Sequence, residues 1–345
     1  MKKFHIAVII LCTLILFSII FTVTSLKVKN LTRLQLDNRI SLVVSWIDGA
    51  DEHFYSTRKT YVDKEHVPKN SHNIADYRVI NTDELKYLLR SVDKFGPWIY
   101  KIFIVTSFHQ RPKWLQTSSR IKLVNDTEIV PAQYLPTFNS HVIECYLHKI
   151  AGLTEHYIYA NDDMFLGRNV TAADFFENGK PIIYAHGIQK PTEDEKSYHK
   201  MAWFNNYKLL ADMHGHDALL PEKLPCHQMI PTTKTIAQKM HDLFPEQITQ
   251  TAQTKFRNAN NIHPLGLQLY NALCEGTAVL NREHMDELYS DFFSDAKTFK
   301  YFLDYITMKK PKFFCVNNII APSPVFIEFA EHYFPEKSQF EKILQ

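Results

Sequence analysis

His156-Tyr157-Ile158-Tyr159-Ala160-Asn161-Asp162-Asp163 joins a short apolar run to a polar end that carries two adjacent carboxylates. A run of this length, rich in aromatic and β-branched residues, reads as a buried strand. The same pattern recurs upstream. Leu42-Val43-Val44-Ser45-Trp46-Ile47 is closed by Asp48-Gly49-Ala50-Asp51, and Lys101-Ile102-Phe103-Ile104-Val105-Thr106 by Ser107-Phe108-His109-Gln110. Ile121-Lys122-Leu123-Val124 is a further strand. Between these runs, Leu85, Leu88, Leu89 and Val92 form an i, i+3, i+4, i+7 stripe. That spacing predicts a helix capped by Thr82 or Asp83 and stopped at Gly96-Pro97. Asn139 or Ser140 caps another, with Ile143, Leu147 and Ile150 facing inward. Alternating strands and helices predict an α/β fold, a largely parallel central sheet with flanking helices. Ligands of such sheets bind beyond the carboxyl ends of the strands. The three polar clusters there predict one shared site.

The second half reads as more helical, with helical patterns at 205–217, 232–244, 265–275 and 283–289. Phe313-Phe314-Cys315-Val316 reads as a short strand ending in Asn317-Asn318, and a last helix spans about 325–333.

At the start, Met1-Lys2-Lys3 precedes an uncharged, mostly apolar run from Ile6 to Val23. The run is long enough to span a bilayer and longer than the apolar core of a cleaved signal, which is about 7–15 residues. The expectation is an N-terminal transmembrane helix in a single-pass membrane protein, with tip and anchor at 1–25, a stalk at 26–38 and a catalytic domain at 39–345. Lys27, Lys29 and Arg33 nearly balance Lys2 and Lys3, so flanking charge leaves the orientation open. A type II arrangement would face the Golgi lumen in a eukaryote. In a bacterium the domain would lie at the cytoplasmic membrane.

The 39 basic and 37 acidic side chains give a net charge of +2, which argues against nucleic acid as a partner. Five cysteines, with no CxxC pair, argue against a zinc knuckle and leave disulfides or buried thiols open. Sequons at Asn30, Asn125 and Asn169 give weak support for a secretory lumen. A homodimer is compatible with the sequence.

Several residues carry candidate chemistry. Asp162 and Asp163 at a strand end suit a hard divalent cation that neutralises a diphosphate, although a turn-capping aspartate gives the same pattern. The backbone amides that open the helix at Asn139-Ser140 suit a phosphate, and Glu144 one turn later suits a sugar hydroxyl or a metal-bound water. A solvated glutamate is the simpler account of Glu144. His227, after Pro225-Cys226, has the chemistry of a general base, but the chain holds 17 histidines. His214-Gly215-His216-Asp217 has unspecific metal spacing. Arg257, in Lys255-Phe256-Arg257-Asn258, serves as a phosphate fork or as a surface charge.

Taken together, four blocks resemble the Stealth family, which includes bacterial capsular polysaccharide phosphotransferases and the catalytic subunit of the lysosomal-enzyme N-acetylglucosamine phosphotransferase. The first block is Val43 to Asp51. The second, about 78–166, contains Asp83-Glu84-Leu85-Lys86-Tyr87, Leu89-Arg90-Ser91, Leu135-Pro136-Thr137-Phe138-Asn139-Ser140, Ile143-Glu144 and Tyr159-Ala160-Asn161-Asp162-Asp163-Met164-Phe165. The third, about 203–275, holds His227 and Arg257. The fourth is Cys315-Val316-Asn317-Asn318 with Phe334-Pro335-Glu336-Lys337-Ser338-Gln339-Phe340-Glu341.

The resemblance implies a nucleotide-sugar transferase-like fold. It also implies transfer of a hexose- or N-acetylhexosamine-1-phosphate from a UDP-sugar to a glycan or polysaccharide hydroxyl, with release of UMP and with Mg2+ or Mn2+ as cofactor. Glu144, Asp163, His227 and Arg257 match family active-site positions. Asp162, Asp163 and Asn317 fall to the metal, and Trp46, Asp48, Gly49, Arg90, Asn139 and Ser140 to the donor. Ser41 stands where members often carry an acidic residue, Asn317-Asn318 where they carry Asn-Asp, and Asp126 where a histidine is common. The competing readings are a glycosyltransferase that releases UDP and an inactive glycan-binding relative.

Overall fold

The computed structural model describes residues 39–342, other than 68–70, 72–73, 76–78, 216–219, 226, 282–286, 291–294 and 318–323. In chain order the strands are β1 (Ile40–Ser45), β2 (Ile102–Thr106), β3 (Ile121–Asn125), β4 (His156–Asn161), β5 (Met164–Leu166), β6 (Phe176–Glu177), β7 (Lys180–Tyr184), β8 (Ile230–Thr233), β9 (Val279–Asn281), β10 (Glu287–Ser290) and β11 (Phe313–Val316). The α-helices are α1 (Glu52–Lys64), α2 (Glu84–Phe95), α3 (Ser140–Tyr146), α4 (Tyr198–His214), α5 (Lys234–Leu243), α6 (Pro245–Ala252), α7 (Pro264–Cys274), α8 (Ala296–Lys309) and α9 (Pro324–Tyr333).

The main sheet has the order β3-β2-β1-β4-β8. The first four strands are parallel, and β8 closes the edge antiparallel to β4. Both faces are buried, which explains why these strands read as continuous apolar runs. Leu42 and Val44 of β1 pack with α2 and α9 in one core, while Val43 packs with α3 and α7 in the other. Two smaller sheets, β10-β11-β5 and β6-β7-β9, extend the fold.

A buried guanidinium ties α2 to the segment 331–341. Arg90 on α2 donates from Nε and Nη2 to both carboxylate oxygens of Glu341, each at 2.8 Å. Its Nη1 donates to Glu331 and to the Phe334 carbonyl. Glu341 also accepts from the Ser338 amide at 2.9 Å, which folds the last segment onto α2. The neighbouring Ser91 hydroxyl accepts from the Leu166 amide at 3.2 Å.

Some expectations need correction. No helix among the described residues is long and apolar enough to cross a membrane. The run expected to be the anchor lies outside the described residues, so the single-pass membrane assignment is withdrawn. The longest helix among the described residues, α4, has 17 residues and interleaves charged and polar side chains with its apolar ones. Asp83 adopts a left-handed conformation and makes no capping bond from its side chain. Instead the Glu84 carboxylate turns back to accept from the Thr82 amide and hydroxyl. Within 283–289, the described residues from Glu287 on form a strand, because they pair in parallel with β11. Helix α1 carries no strong apolar stripe in sequence, and α6 only a short one, so both emerge only in the fold. Helix α8 was missed although Phe299, Phe302, Leu303 and Ile306 stand at helical spacing and pack into the core. Cys145, Cys274 and Cys315 are free thiols. The Asn125 side chain is buried as the cap of a 3-10 turn, accepting from Thr127, so that sequon has a local structural role.

Candidate active site

From β1 the chain winds outward to β2 and β3, then returns to place β4 on β1's other side. The strand order therefore reverses between β1 and β4, and the connections diverge to leave a crevice at their carboxyl ends. Trp46, Ser107, Asn139, Ser140, Asp162 and Arg257 are among the residues lining a cavity there of about 190 Å³. Full ligand pockets usually hold ~300–1,000 Å³, so the enclosed part suits a fragment of a ligand whose remainder lies in the open cleft.

The turn after β4 sets the acidic group. Asp162 lines the crevice. Asp163 turns the other way, accepting a hydrogen bond from the Cys315 thiol, while its backbone carbonyl accepts from the Val316 amide at 3.1 Å. Its Oδ1 is buried without a hydrogen-bond partner. Burial, then the nearby Glu84 carboxylate, pushes Asp163 up to about 7. Burial, Glu84 and Asp163 raise Asp162 well above the ordinary carboxylate range. Glu84 itself is raised, chiefly by burial. Three desolvated carboxylates that disfavour one another's charge form a site that gains by accepting a cation.

Across the crevice, Asn139 caps α3 by accepting from the His141 amide, which commits that amide away from a ligand. The Asn139 amide group donates to Thr254 and Asn261, each at 2.9 Å, and docks segment 254–261 onto the start of α3. That docking delivers Arg257, whose Nη2 donates to the Ser140 hydroxyl at 2.7 Å. Glu144 lies beneath, with Oε2 buried and without a hydrogen-bond partner. Burial raises its pKa, against the opposing charge of Arg257 and the hydroxyls of Ser140 and Tyr159.

His227 completes the arrangement. One ligand-capable atom each from His227, Asp163 and Cys315 lie within 4.8 Å of one another. The His227 ring centroid is 5.3 Å from that of Tyr289. His227 and Arg257 both act electrostatically on His263, which burial and these two neighbours lower to about 3. His141, His199 and His263 also cluster within 4.8 Å. However, His263 Nδ1 accepts from the Gly266 amide at 3.1 Å, which commits that lone pair to the start of α7.

Not every expected donor residue reaches the crevice. Arg90 does not line it, because its guanidinium holds Glu341 and Glu331. Asp48 caps the Ala50 amide, and Gln110 clamps its backbone from both sides at 2.8 and 2.9 Å. Gly49 shapes the wall rather than the lining, since a Cβ there would lie 2.3 Å from the Val79 carbonyl. Asn317 follows β11, whose Val316 bonds the Asp163 backbone, so the chain brings it to the same edge. Ser41 lies at the opposite end of β1, ~17 Å along an extended strand from Trp46, and bonds Thr154 at 2.8 Å. Its departure from the family pattern therefore bears on packing. Asp126 accepts from the Ser107 hydroxyl. Asn318 lies outside the described residues. Glu84 and Cys315 were missed as site residues. Both stand inside quoted motifs, but nothing local marks them, because only the tertiary fold brings them to Asp163.

Fold and site together define an α/β protein with an acidic crevice, bordered by an arginine and a histidine, at its topological switch point. The family described as Stealth protein CR2, conserved region 2, matches residues 78–183. The capsular polysaccharide phosphotransferase fcs1 of Haemophilus influenzae is 36% identical over 262 residues, 71% of this chain and 68% of that protein. The exopolysaccharide phosphotransferase CpsY of Mycobacterium leprae is 34% identical over 321 residues. That alignment covers 88% of this chain and 57% of that protein, so the chain spans little more than half of the longer relative. A galactosyltransferase LgtC structure in complex with donor and acceptor sugar analogs aligns over 88% of this chain and 98% of that one, at 8% identity and a TM-score of 0.44. The chain belongs to the Stealth family.

Proposed function

We propose that this Stealth-family enzyme transfers a sugar-1-phosphate, of a hexose or N-acetylhexosamine, from a UDP-sugar to a hydroxyl of a glycan or polysaccharide. The acceptor oxygen forms a bond to the phosphorus that bears the sugar. The bond from that phosphorus to the bridging oxygen breaks, and UMP leaves with the bridging oxygen. The acceptor proton passes to His227 or Asp163, and the anomeric bond is untouched. The observation that carries this reading is the convergence of side chains from distant parts of the chain. Arg257 lines one cavity with Asp162, and His227 meets Asp163 on the adjoining side.

In this reading Arg257 stabilises charge on the phosphoryl oxygens through its planar fork, and Ser140 holds it there. Trp46 and Asn139 wall the donor side. Glu144, its pKa raised by burial, receives a sugar hydroxyl. The unpartnered Oδ1 of Asp163 and the mutually destabilised carboxylates fit a divalent cation. Asp162 and Asp163 would hold Mg2+ or Mn2+, with Asn317 beside them. When bound, such a cation neutralises the diphosphate and the departing nucleotide.

The test is incubation of the full chain with a panel of UDP-sugars, Mg2+ or Mn2+, and glycan acceptors. Chromatography identifies the released nucleotide, and phosphorus NMR reads the new phosphodiester. UMP with a diester signal is the expected result. UDP without one assigns the chemistry to sugar carbon instead.

A further inference from the structure

The Asp163 side of the site is bordered by an exposed aromatic ring, that of Tyr289. An in-line displacement places the incoming oxygen opposite the leaving group. With UMP departing through the crevice lined by Trp46, Asp162 and Arg257, the acceptor enters from the side held by Asp163 and His227. β10 borders that side. Tyr289 pairs with Cys315 of β11, and the Cys315 thiol bonds Asp163. Paired residues share a sheet face, and so do positions two apart, so Glu287, Tyr289 and Cys315 present to the same face. The Tyr289 ring is 39% exposed and its centroid lies 5.3 Å from that of His227. Among the described residues it is the one exposed large aromatic in ring contact with a proposed catalytic side chain. An exposed ring has no packing reason to sit at a reaction centre. Its apolar face suits the C–H face of a pyranose, and its hydroxyl suits the polar rim. Glu287, two residues earlier, lies on the same face with its Oε2 buried, and its charge acts on the Cys315 thiol.

We infer that Tyr289, with Glu287 beside it, forms the acceptor subsite, a platform on which a pyranose ring of the glycan stacks with its hydroxyl toward His227. This rests on the sugar-phosphate transfer reading, and two measurements on the full chain keep the two apart. Saturation-transfer NMR with the methyl glycosides of glucose, galactose, mannose and N-acetylglucosamine reads the subsite without turnover. Wild type and Tyr289→Phe are expected to transfer saturation to at least one glycoside. Tyr289→Ala and Tyr289→Leu are expected to weaken that signal by about tenfold or more, with the UDP-sugar signal unchanged. A glycoside signal that survives in both variants overturns the subsite. So does its absence from wild type, and so does loss of the UDP-sugar signal alongside it in both variants. Nucleotide release by wild type tests the reaction separately. Failure to release UMP from any UDP-sugar sinks the transfer reading, whatever the glycosides do.

Discussion

Arg257 reaches Ser140 from 117 positions further along the chain, through a short hydrogen bond. Arg257→Lys keeps the charge but loses the planar fork, so turnover measured as UMP release should fall by ~10²–10³. His227→Gln should cost ~10²–10⁴ by removing the proton acceptor while leaving donor binding intact. Asp163 makes a prediction in pH. Its folded pKa of about 7 lies above the ordinary 3.8, so the fold holds more protons than the unfolded chain between those values. Stability should therefore fall as pH rises through that window. A thermal midpoint that drops from pH 5 to pH 7.5, with a flatter profile in Asp163→Asn, is the expected result. Mn2+ should raise the midpoint more at pH 7.5 than at pH 5, since the ionised carboxylates bind it. At this scale the sequence was informative where chemistry coincides with position. Asp162 and Asp163 end a buried strand, and a strand end on a parallel sheet is a place for ligands. Arg90 misled, because its place in a block that resembles the family says nothing of its partner until Glu341 is found against it.

At the level of elements, the loop after β1 shows how tightly the crevice wall is built. The Gly49 amide donates to the Val79 carbonyl at 2.9 Å, and no Cβ fits in that approach. Gly49→Ala should cost ~1–3 kcal/mol in urea unfolding and displace the Asp48 turn. A rise in donor KM should accompany it. The parallel strands were readable because burial on both faces writes them as apolar blocks. Helix α1 was not, since Phe54 and Arg58 are its buried residues and no stripe results. β10 was misread as helix because its local composition favours helix, and pairing with β11 overrides that preference.

For the whole molecule, the clamp on Arg90 is a buried electrostatic commitment outside the site. Arg90 and Glu341 are both buried. Glu341→Ala leaves a buried guanidinium short of its counter-charge and should destabilise by ~3–5 kcal/mol in chemical denaturation. Arg90→Met with Glu341→Leu should recover much of that loss, because an apolar pair carries no desolvation penalty. Order of assembly follows from the same pair. Arg90 leaves the ribosome 251 residues ahead of Glu341, an interval of about 10–50 s during translation. Throughout that time α2 cannot seat its guanidinium on Glu341, so the docking of α2 against residues 331–341 comes late in the order of assembly. A product that stops short of Glu341 never receives the carboxylate, leaves a buried guanidinium short of counter-charge and stays open to proteolysis.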